Sequence, residues 1–276
     1  MNESWTEVTL YSESLTGDEI LALIYDLPFD SFDTQDYSIK AYIRTQLLTK
    51  DVLNELGYVS MDFPVTFAYK EMPHVNWNEA WETQFNPVHI PGICTIYAEF
   101  HSDVPQEEVM ICITPKMAFG TGHHGTTSGM LKIMAELNLS GKDILDFGSG
   151  TGILAIYASK KMAKFIKAID IEMPAYESIR ENSDLNHCNN IEAILGDKAT
   201  IPNLDYDIIL ANVTRNVIVD AMPELCKNLK PEGQIVFSGF FYDELSKIES
   251  EANKFNLTIV KHLIENGWCI ALFKKH

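Results

Sequence analysis

The sequence has 276 residues, of which 46% are hydrophobic and 22% are charged, which is typical of a globular protein with two domains or one large α/β domain. Its 39 acidic and 21 basic side chains give a formal charge of −18, which disfavours binding to a nucleic-acid backbone and favours a basic partner. No apolar run approaches the roughly 18 residues that cross a bilayer, and the start, MNESWTEVTL, is acidic. We therefore expect no membrane segment and a cytoplasmic location.

The cysteines are scattered singly along the chain, with no C-x-x-C pair. There are five of them: Cys94, Cys112, Cys188, Cys226 and Cys269. An odd number of isolated cysteines fits reduced thiols better than a disulfide framework or a zinc site. We interpret them as structural.

Residues 1–72 are predicted to form a small α+β domain. The pattern predicts strands at Trp5–Tyr11, Tyr37–Ile43 and Val65–Tyr69, a helix capped by Thr16 that runs to Leu27, and a helix over Thr49–Leu56. Residues 1–76 contain thirteen acidic and four basic side chains, a charge of −9. This concentration of charge suggests a domain that recognises a basic substrate, although the same charge also has a simpler interpretation as a solubility feature.

An aromatic connector is expected over residues 73–92. Trp77, Trp81 and Phe85 are spaced four apart, so they would share one face of a short helix. Packing explains such a face better than an aromatic cage for a ligand does.

Residues 93–276 alternate between apolar runs and amphipathic stretches, as in a parallel sheet covered by helices. Strands are predicted at Ile144–Asp146, Ile166–Asp170, Ile191–Leu195, Asp207–Ala211, Gln234–Ser238, Leu257–Leu263 and Trp268–Lys274. The last two are joined by a short turn with Asn266 and Gly267, which indicates a hairpin. One terminal strand of this α/β sheet must therefore run antiparallel.

The sharpest local motif is D-F-G-S-G-T-G, in which a predicted strand ends at Asp146 and turns through Gly148, Gly150 and Gly152. Such glycines let a backbone turn tightly and approach a ligand at the carboxyl edge of a sheet. A dinucleotide-binding fold is the alternative, but its G-x-G-x-x-G motif needs a glycine where Ile153 stands.

Asp170 ends the next predicted strand, 22 positions after Gly148. An acid at this spacing can accept hydrogen bonds from the diol of a ribose. Taken alone, Asp170 could equally be a residue that starts a helix.

Together, D-x-G-x-G-x-G, an acid at the end of the second strand and an antiparallel last strand resemble the class I S-adenosylmethionine-dependent methyltransferases. The string L-K-P-E-G from Leu229 is similar to the turn before strand five of these enzymes. The resemblance implies a seven-stranded Rossmann-like methyltransferase sheet and S-adenosyl-L-methionine as cofactor.

A second motif, A-F-G-T-G-x-H-x-T-T over residues 118–127, narrows the resemblance. With the Trp-rich connector and D-I-I-L-A-N-V at 207–213, it resembles the ribosomal protein methyltransferase A family, which methylates large-subunit ribosomal protein eleven. The resemblance implies that Thr127, Gly148, Asp170 and Asn212 bind the cofactor. Asp146 and Gly150 belong to the same glycine turn, and we predict that they bind the cofactor as well. Ser149, where the family usually has cysteine, and Glu172 are small departures.

Two residues are candidates for the catalytic centre. Asn212, at the end of the fourth strand, could orient a substrate amine, or it could simply cap a turn; Thr121 is the second candidate. No dedicated base and no metal site are evident, since His123 and His124 suit packing or loop hydrogen bonds better. Asp197, after the third strand, is a weaker candidate for contact with the adenine.

The resemblance predicts methyl transfer to lysine side chains, and to the amino terminus, of the ribosomal protein. A methyltransferase acting on another protein or a small-molecule amine is one alternative, and a non-catalytic binding module is another. Glutamine and adenine methyltransferases usually have Asn-Pro-Pro-Tyr where this chain has Asn-Val-Thr-Arg at 212–215, which argues against both. A degenerate module would be expected to lose Gly148 or Asp170, and both are present.

Overall fold

The computed structural model describes residues 4–25, 27–72, 85–114 and 120–276. Contacts divide the chain into two compact units, residues 1–83 and 84–276. The helix predicted around Trp77 and Trp81 lies outside the described residues. Within the described part of the chain, no helix is both long enough and apolar enough to span a bilayer.

The first unit is a four-stranded sheet with two helices. Its elements are β1 (Trp5–Ser12), α1 (Gly17–Ile24), β2 (Ser31–Gln35), β3 (Ser38–Arg44), α2 (Lys50–Asp62) and β4 (Val65–Glu71). The strand order is β2-β3-β1-β4, and every neighbouring pair is antiparallel. This confirms the small α+β domain that the sequence predicts.

Buried apolar side chains alternate with more exposed ones along β1 and β3, and the buried ones form the core of this unit. Val8 and Leu10 point to the same face as Ile39 and pack with Ile20 of α1. Thr16 and Glu19 form a reciprocal capping box at the start of α1. The sheet has one strand that we did not predict, β2, because its sequence SFDTQ is polar and it lies at an edge where little is buried. Helix α1 ends at Ile24, before the predicted Leu27, and α2 continues past Leu56.

The second unit contains ten strands and five helices among the described residues. The strands are β5 (Val88–Ile90), β6 (Cys94–Tyr97), β7 (Met110–Cys112), β8 (Asp143–Phe147), β9 (Phe165–Asp170), β10 (Ile191–Leu195), β11 (Tyr206–Asn212), β12 (Leu229–Phe241), β13 (Leu257–Glu265) and β14 (Trp268–Lys275). The helices are α3 (Gly125–Ala135), α4 (Ile153–Lys160), α5 (Met173–Leu185), α6 (Arg215–Lys227) and α7 (Leu245–Asn253).

Seven of these strands form the main sheet, in the order β10-β9-β8-β11-β12-β14-β13. Strands β8 to β12 are parallel to one another, whereas β14 is antiparallel to both β12 and β13. This confirms the seven-stranded sheet with an antiparallel last strand. Helices α3, α4 and α5 contribute to the core on one face, and α6 and α7 contribute to the core on the other. The carboxyl ends of β8, β9, β10 and β11 consequently share one edge.

A small sheet of β5, β6 and β7 precedes the main sheet, and we did not predict it because its strands are only three or four residues long. Strand β5 falls within the segment that we assigned to the connector.

Two asparagines near the end of α5 pair with the backbone of β7 and its continuation. Asn186 accepts from the N–H of Cys112 at 2.9 Å and donates to its carbonyl at 2.5 Å, and Asn182 accepts from Thr114 N–H at 2.8 Å.

All five cysteines are free and buried, as expected for structural thiols. Burial raises the pKa of the Cys94 thiol and that of the Cys226 thiol to about 12. The reactive thiolate form is therefore disfavoured at both positions.

Candidate cofactor and methyl-transfer site

The glycine turn between β8 and α4 forms the floor of the candidate site. Gly148, Gly150 and Gly152 have φ values of 73°, 56° and 82°, in the left-handed region that favours glycine. The N–H groups of Gly148 and Ser149 both donate to the carbonyl oxygen of Ile169, at 2.9 and 3.0 Å. This backbone pairing holds the turn against the end of β9.

A cavity of about 580 Å³ opens at the carboxyl edge of the sheet beside this turn. Its lining follows the strand ends in order: Phe147, Gly148 and Gly150 after β8; Ile169, Asp170, Ile171 and Glu172 after β9; Gly196, Asp197 and Lys198 after β10; and Asn212, Val213 and Thr214 after β11. The structure therefore brings together Gly148, Gly150, Asp170 and Asn212 of the predicted site. Asp197 also reaches the cavity, and its side chain accepts from Ala199 N–H at 2.9 Å.

Asp170 joins the turn to the next helix. Its Oδ2 accepts from Gly150 N–H at 2.8 Å, and its Oδ1 accepts from Glu172 N–H at 3.0 Å. A carboxylate has about four lone-pair positions, so each oxygen keeps a position that can accept from a ribose hydroxyl.

Asp146 lies beneath the turn and is fully buried. Ser149 Oγ donates to its Oδ2 at 2.5 Å. Burial raises the pKa of the Asp146 carboxyl to about 7, and the hydrogen bond from Ser149 opposes that rise. We predicted that Asp146 binds the cofactor, but it does not line the cavity. It supports the turn from below instead.

Two predicted site residues carry buried oxygens that lack a hydrogen-bond partner within the described chain. They are Thr127 Oγ1 and Asn212 Oδ1. A buried acceptor without a partner is costly, and binding of a polar ligand is one way to satisfy it. Asn212 lines the cavity and Thr127 does not. The turn, the Asp170 carboxylate and the open acceptor of Asn212 fit a ligand with a ribose and an amino group, as S-adenosylmethionine has.

Thr121 is not among the described residues that line the cavity. Its hydroxyl lies 3.2 Å from Nδ1 of His123. His124 caps α3 by accepting from Thr126 N–H, and its ring lies 4.9 Å from that of Trp268. Both histidines thus make the loop hydrogen bonds and packing contacts that we predicted.

Sequence reasoning missed two features of the site. Lys198 and Asp220 form an ion pair in which both partners line the cavity, and Asp220 gave no signal because it lies inside α6 with no motif around it. The second feature is an aromatic group at the same sheet edge, where Phe241 ends β12 and Trp268 begins β14. Their rings stack at 4.3 Å. The alternation of β14 predicts a strand but not this stacking.

The strand order, the glycine turn and the acid after β9 define a class I S-adenosylmethionine-dependent methyltransferase, and S-adenosylmethionine is its cofactor. The sequence profile described as ribosomal protein L11 methyltransferase matches residues 10–276. The chain belongs to the ribosomal protein L11 methyltransferase family.

Individual relatives agree with this assignment. The ribosomal protein L11 methyltransferase of Phocaeicola vulgatus is 36% identical over 261 residues, covering 93% of each chain. That of Bacteroides thetaiotaomicron is 35% identical over 274 residues, covering 97% of this chain and 98% of the relative. The crystal structure of ribosomal protein L11 methylase from Lactobacillus delbrueckii subsp. bulgaricus matches with a TM-score of 0.64 and 28% identity, over 70% of this chain and all of that one.

Proposed function

We propose that this protein transfers methyl groups from S-adenosylmethionine to amino groups of ribosomal protein L11, on lysine side chains and at the amino terminus. The observation that carries the proposal concerns Asn212, which lines the cavity. Its Oδ1 is a buried acceptor that has no hydrogen-bond partner in the described chain. An amide oxygen can accept a hydrogen bond from an amine but cannot itself act as a strong base.

The cofactor, when bound, supplies a methyl group that its sulfonium already activates. The chain must therefore align a neutral amine and exclude water, and alignment of this kind is worth roughly 7 to 11 kcal/mol. A free lysine has a pKa of about 10.4, so the amine has to lose a proton before it reacts. Entry into a site with little water disfavours the ammonium form. The rings of Phe241, Trp268 and His124 lie at the same sheet edge as Asn212.

The charges around the cavity suit cationic partners. Asp170, Glu172, Asp197 and Asp220 line it, whereas Lys198 is the one basic residue among the described lining residues. The ion pair with Asp220 engages that lysine. The remaining negative potential favours both a sulfonium cofactor and a lysine-rich protein.

We propose that the first unit recognises the protein substrate, and that its helical side does so. Helices α1 and α2 carry five acidic side chains, Asp18, Glu19, Asp51, Glu55 and Asp62, against one lysine, Lys50. On the opposite face of the sheet, Lys40, Arg44 and Lys70 outnumber Glu7 and Asp33.

The helical side also exposes large apolar side chains. Tyr58 and Met61 of α2 are exposed by 57% and 82%, and Tyr25, after α1, by 71%. Acidic charge combined with exposed aromatic side chains suits a basic protein surface better than a nucleic acid. We further propose that residues 73–92, which include β5, connect this recognition domain to the catalytic domain. We also propose that the reaction takes place in the cytoplasm.

The direct test is to incubate the purified protein with S-adenosylmethionine and L11 and to locate the methyl groups by mass spectrometry. We expect methyl groups on lysine side chains or the amino terminus of L11, and none on DNA or on free glutamine peptides. Methyl groups on a nucleic acid, with none on L11, would overturn the proposal. Tight cofactor binding with no methyl transfer to L11 would favour a different amine substrate.

A further inference from the structure

Thr151, within the glycine turn, is fully buried and bonded on two sides. Its hydroxyl donates to the carbonyl oxygen of Gly120 at 2.5 Å. Its own carbonyl oxygen accepts from Nδ2 of Asn182 at 2.8 Å. The first bond links the cofactor turn to the residue just before Thr121.

Asn182 links the glycine turn to a second point of the chain, Thr114. It lies on α5, is fully buried, and accepts from Thr114 N–H at 2.8 Å while it donates to Thr151. Neither Thr151 nor Asn182 lines the cavity. Their polar groups are therefore used to join the glycine turn to Thr114 on one side and to Gly120 on the other.

We propose that Thr151 is a positioning residue for methyl transfer, with Asn182 as its support. Its hydroxyl sets the distance between the glycine turn, which holds the cofactor, and the Gly120–Thr121 backbone, which leads to α3. This inference rests on the proposed function, because it concerns the efficiency of methyl transfer to L11.

The packing shows how tight this junction is. A Cβ on Gly120 would lie 2.9 Å from Thr151 Oγ1, so the Gly120 backbone sits directly against the threonine side chain. Loss of the hydroxyl would release Gly120 from the turn without removing any atom that faces the cavity. The expected defect is therefore in the alignment of the reacting groups and not in cofactor affinity.

The test uses the full chain and compares Thr151→Val, which keeps the shape but loses the hydroxyl, with Thr151→Ser, which keeps the hydroxyl. For Thr151→Val we expect kcat on L11 to fall at least about tenfold, because small misplacements of reacting groups are costly, while the Kd for S-adenosylmethionine from isothermal titration changes by less than about threefold. Thr151→Ser should keep kcat within about threefold of the unchanged protein.

Thr95→Val is the matched control. Thr95 is also a fully buried threonine, and its hydroxyl bonds to Nδ1 of His89 at 3.1 Å, in the small sheet. It should lose similar thermal stability and keep its kcat. Equal kcat in folded Thr151→Val and Thr95→Val would overturn the inference.

A second pair of variants covers the case in which Thr151→Val does not fold. Asn182→Ala removes the support of Thr151. Asn186→Ala, one helical turn away, removes two bonds to Cys112 and one to the backbone carbonyl of Asn182, and none of these touches the glycine turn. We expect a larger loss of kcat per folded molecule for Asn182→Ala, and equal losses would contradict the inference. Failure of the proposed function would look different, since the unchanged protein would then not methylate L11 at all.

Discussion

The N–H of Gly150 donates a 2.8 Å hydrogen bond to Oδ2 of Asp170, which ends the neighbouring strand β9. The carboxylate expected to bind the ribose therefore also fixes the turn that faces the rest of the cofactor. Cofactor affinity and the geometry of the turn depend on the same side chain, so one substitution tests both.

Asp170→Ala should weaken S-adenosylmethionine binding by roughly 1 to 3 kcal/mol, because the ribose hydroxyls and Gly150 N–H each lose an acceptor. Isothermal titration of the folded variant measures the loss. Asp184→Ala is the matched control, an exposed acid on α5 outside the cavity lining, and it should bind normally. Unchanged affinity in Asp170→Ala would remove Asp170 from the ribose site.

Asn212→Ala should lower kcat on L11 by about a hundred- to a thousandfold, the range found when one hydrogen-bonding group that acts on the transition state is removed. Asn212 is expected to contact the cofactor as well, so its Kd should rise too. Thr121→Ala, measured beside it, tests the second catalytic candidate, and we expect a smaller loss because Thr121 does not reach the described cavity. A full kcat in folded Asn212→Ala would exclude the amide as the group that orients the amine.

Asp146 should make the protein less stable as the pH rises towards neutrality. Its pKa is about 7 in the folded protein and 3.8 ordinarily, so between these values the unfolded chain releases the proton while the folded chain keeps it. The resulting loss in the free energy of unfolding is complete above pH 7 and amounts to at most about 4 kcal/mol.

Asp146→Asn removes this titration and keeps an oxygen that can accept from Ser149. The difference in Tm between Asp146→Asn and the unchanged protein should therefore shift in favour of the variant as the pH is raised from 5 to 8. A difference that stays constant over this range would show that the carboxyl titrates normally.

Neutralising the helical side of the first unit should slow association with L11 and leave cofactor affinity unchanged. For Asp18→Asn with Glu55→Gln we expect a lower kcat/KM at low salt, and the deficit should shrink as salt screens the charges beyond about 8 to 10 Å. Asp103→Asn with Asp205→Asn changes the net charge equally at exposed positions of the second unit. Equal effects of the two double variants would indicate that association depends on the net charge of the protein and not on the position of the acidic residues.

A chain that starts at Pro87 gives an independent test of the recognition domain. It should bind S-adenosylmethionine and lose most activity on L11, because it lacks the helical side of the first unit. Full activity on intact L11 would show that residues 1–86 do not recognise the substrate, and their charge would then have its simpler interpretation as a solubility feature.

Gly239→Ala should damage the site through the bulge in β12. Gly239 has a φ of 97°, and a Cβ there would lie 2.2 Å from the carbonyl oxygen of Val213, next to Asn212. We expect lower stability together with lower kcat. Gly92→Ala is the control, since its φ of 73° is also unfavourable but nothing lies within 4 Å of the added Cβ, so it should cost only about 1 to 2 kcal/mol and keep kcat.

The parts of the fold that could be predicted are those with a regular pattern or a distinctive motif. The strands from β8 to β14 could be predicted from their apolar or alternating sequences, and the Asn266–Gly267 turn indicated the antiparallel strand. Strand β2 could not be predicted, because its residues are polar and its edge position is decided by pairing with β3.

The same contrast holds for the candidate site. Gly148, Gly150, Asp170 and Asn212 stand at strand ends, and parallel strands bring such ends to one edge. Asp220 reaches the cavity only because α6 packs across that edge, and Thr151 meets Gly120 over a separation of 31 positions. Contacts of this kind depend on how elements pack and leave no periodic mark in the sequence.

The pairing of Asn186 with Cys112 also bears on how the protein behaves at high concentration. Strand β7 ends its small sheet, and an unpaired strand edge is a template on which another chain can add a strand. The Asn186 side chain occupies both the N–H and the carbonyl of Cys112, so a second molecule could pair there only by displacing it. A side-chain amide on a helix thus protects this sheet edge from aggregation, a task that proteins often give to charged residues or proline.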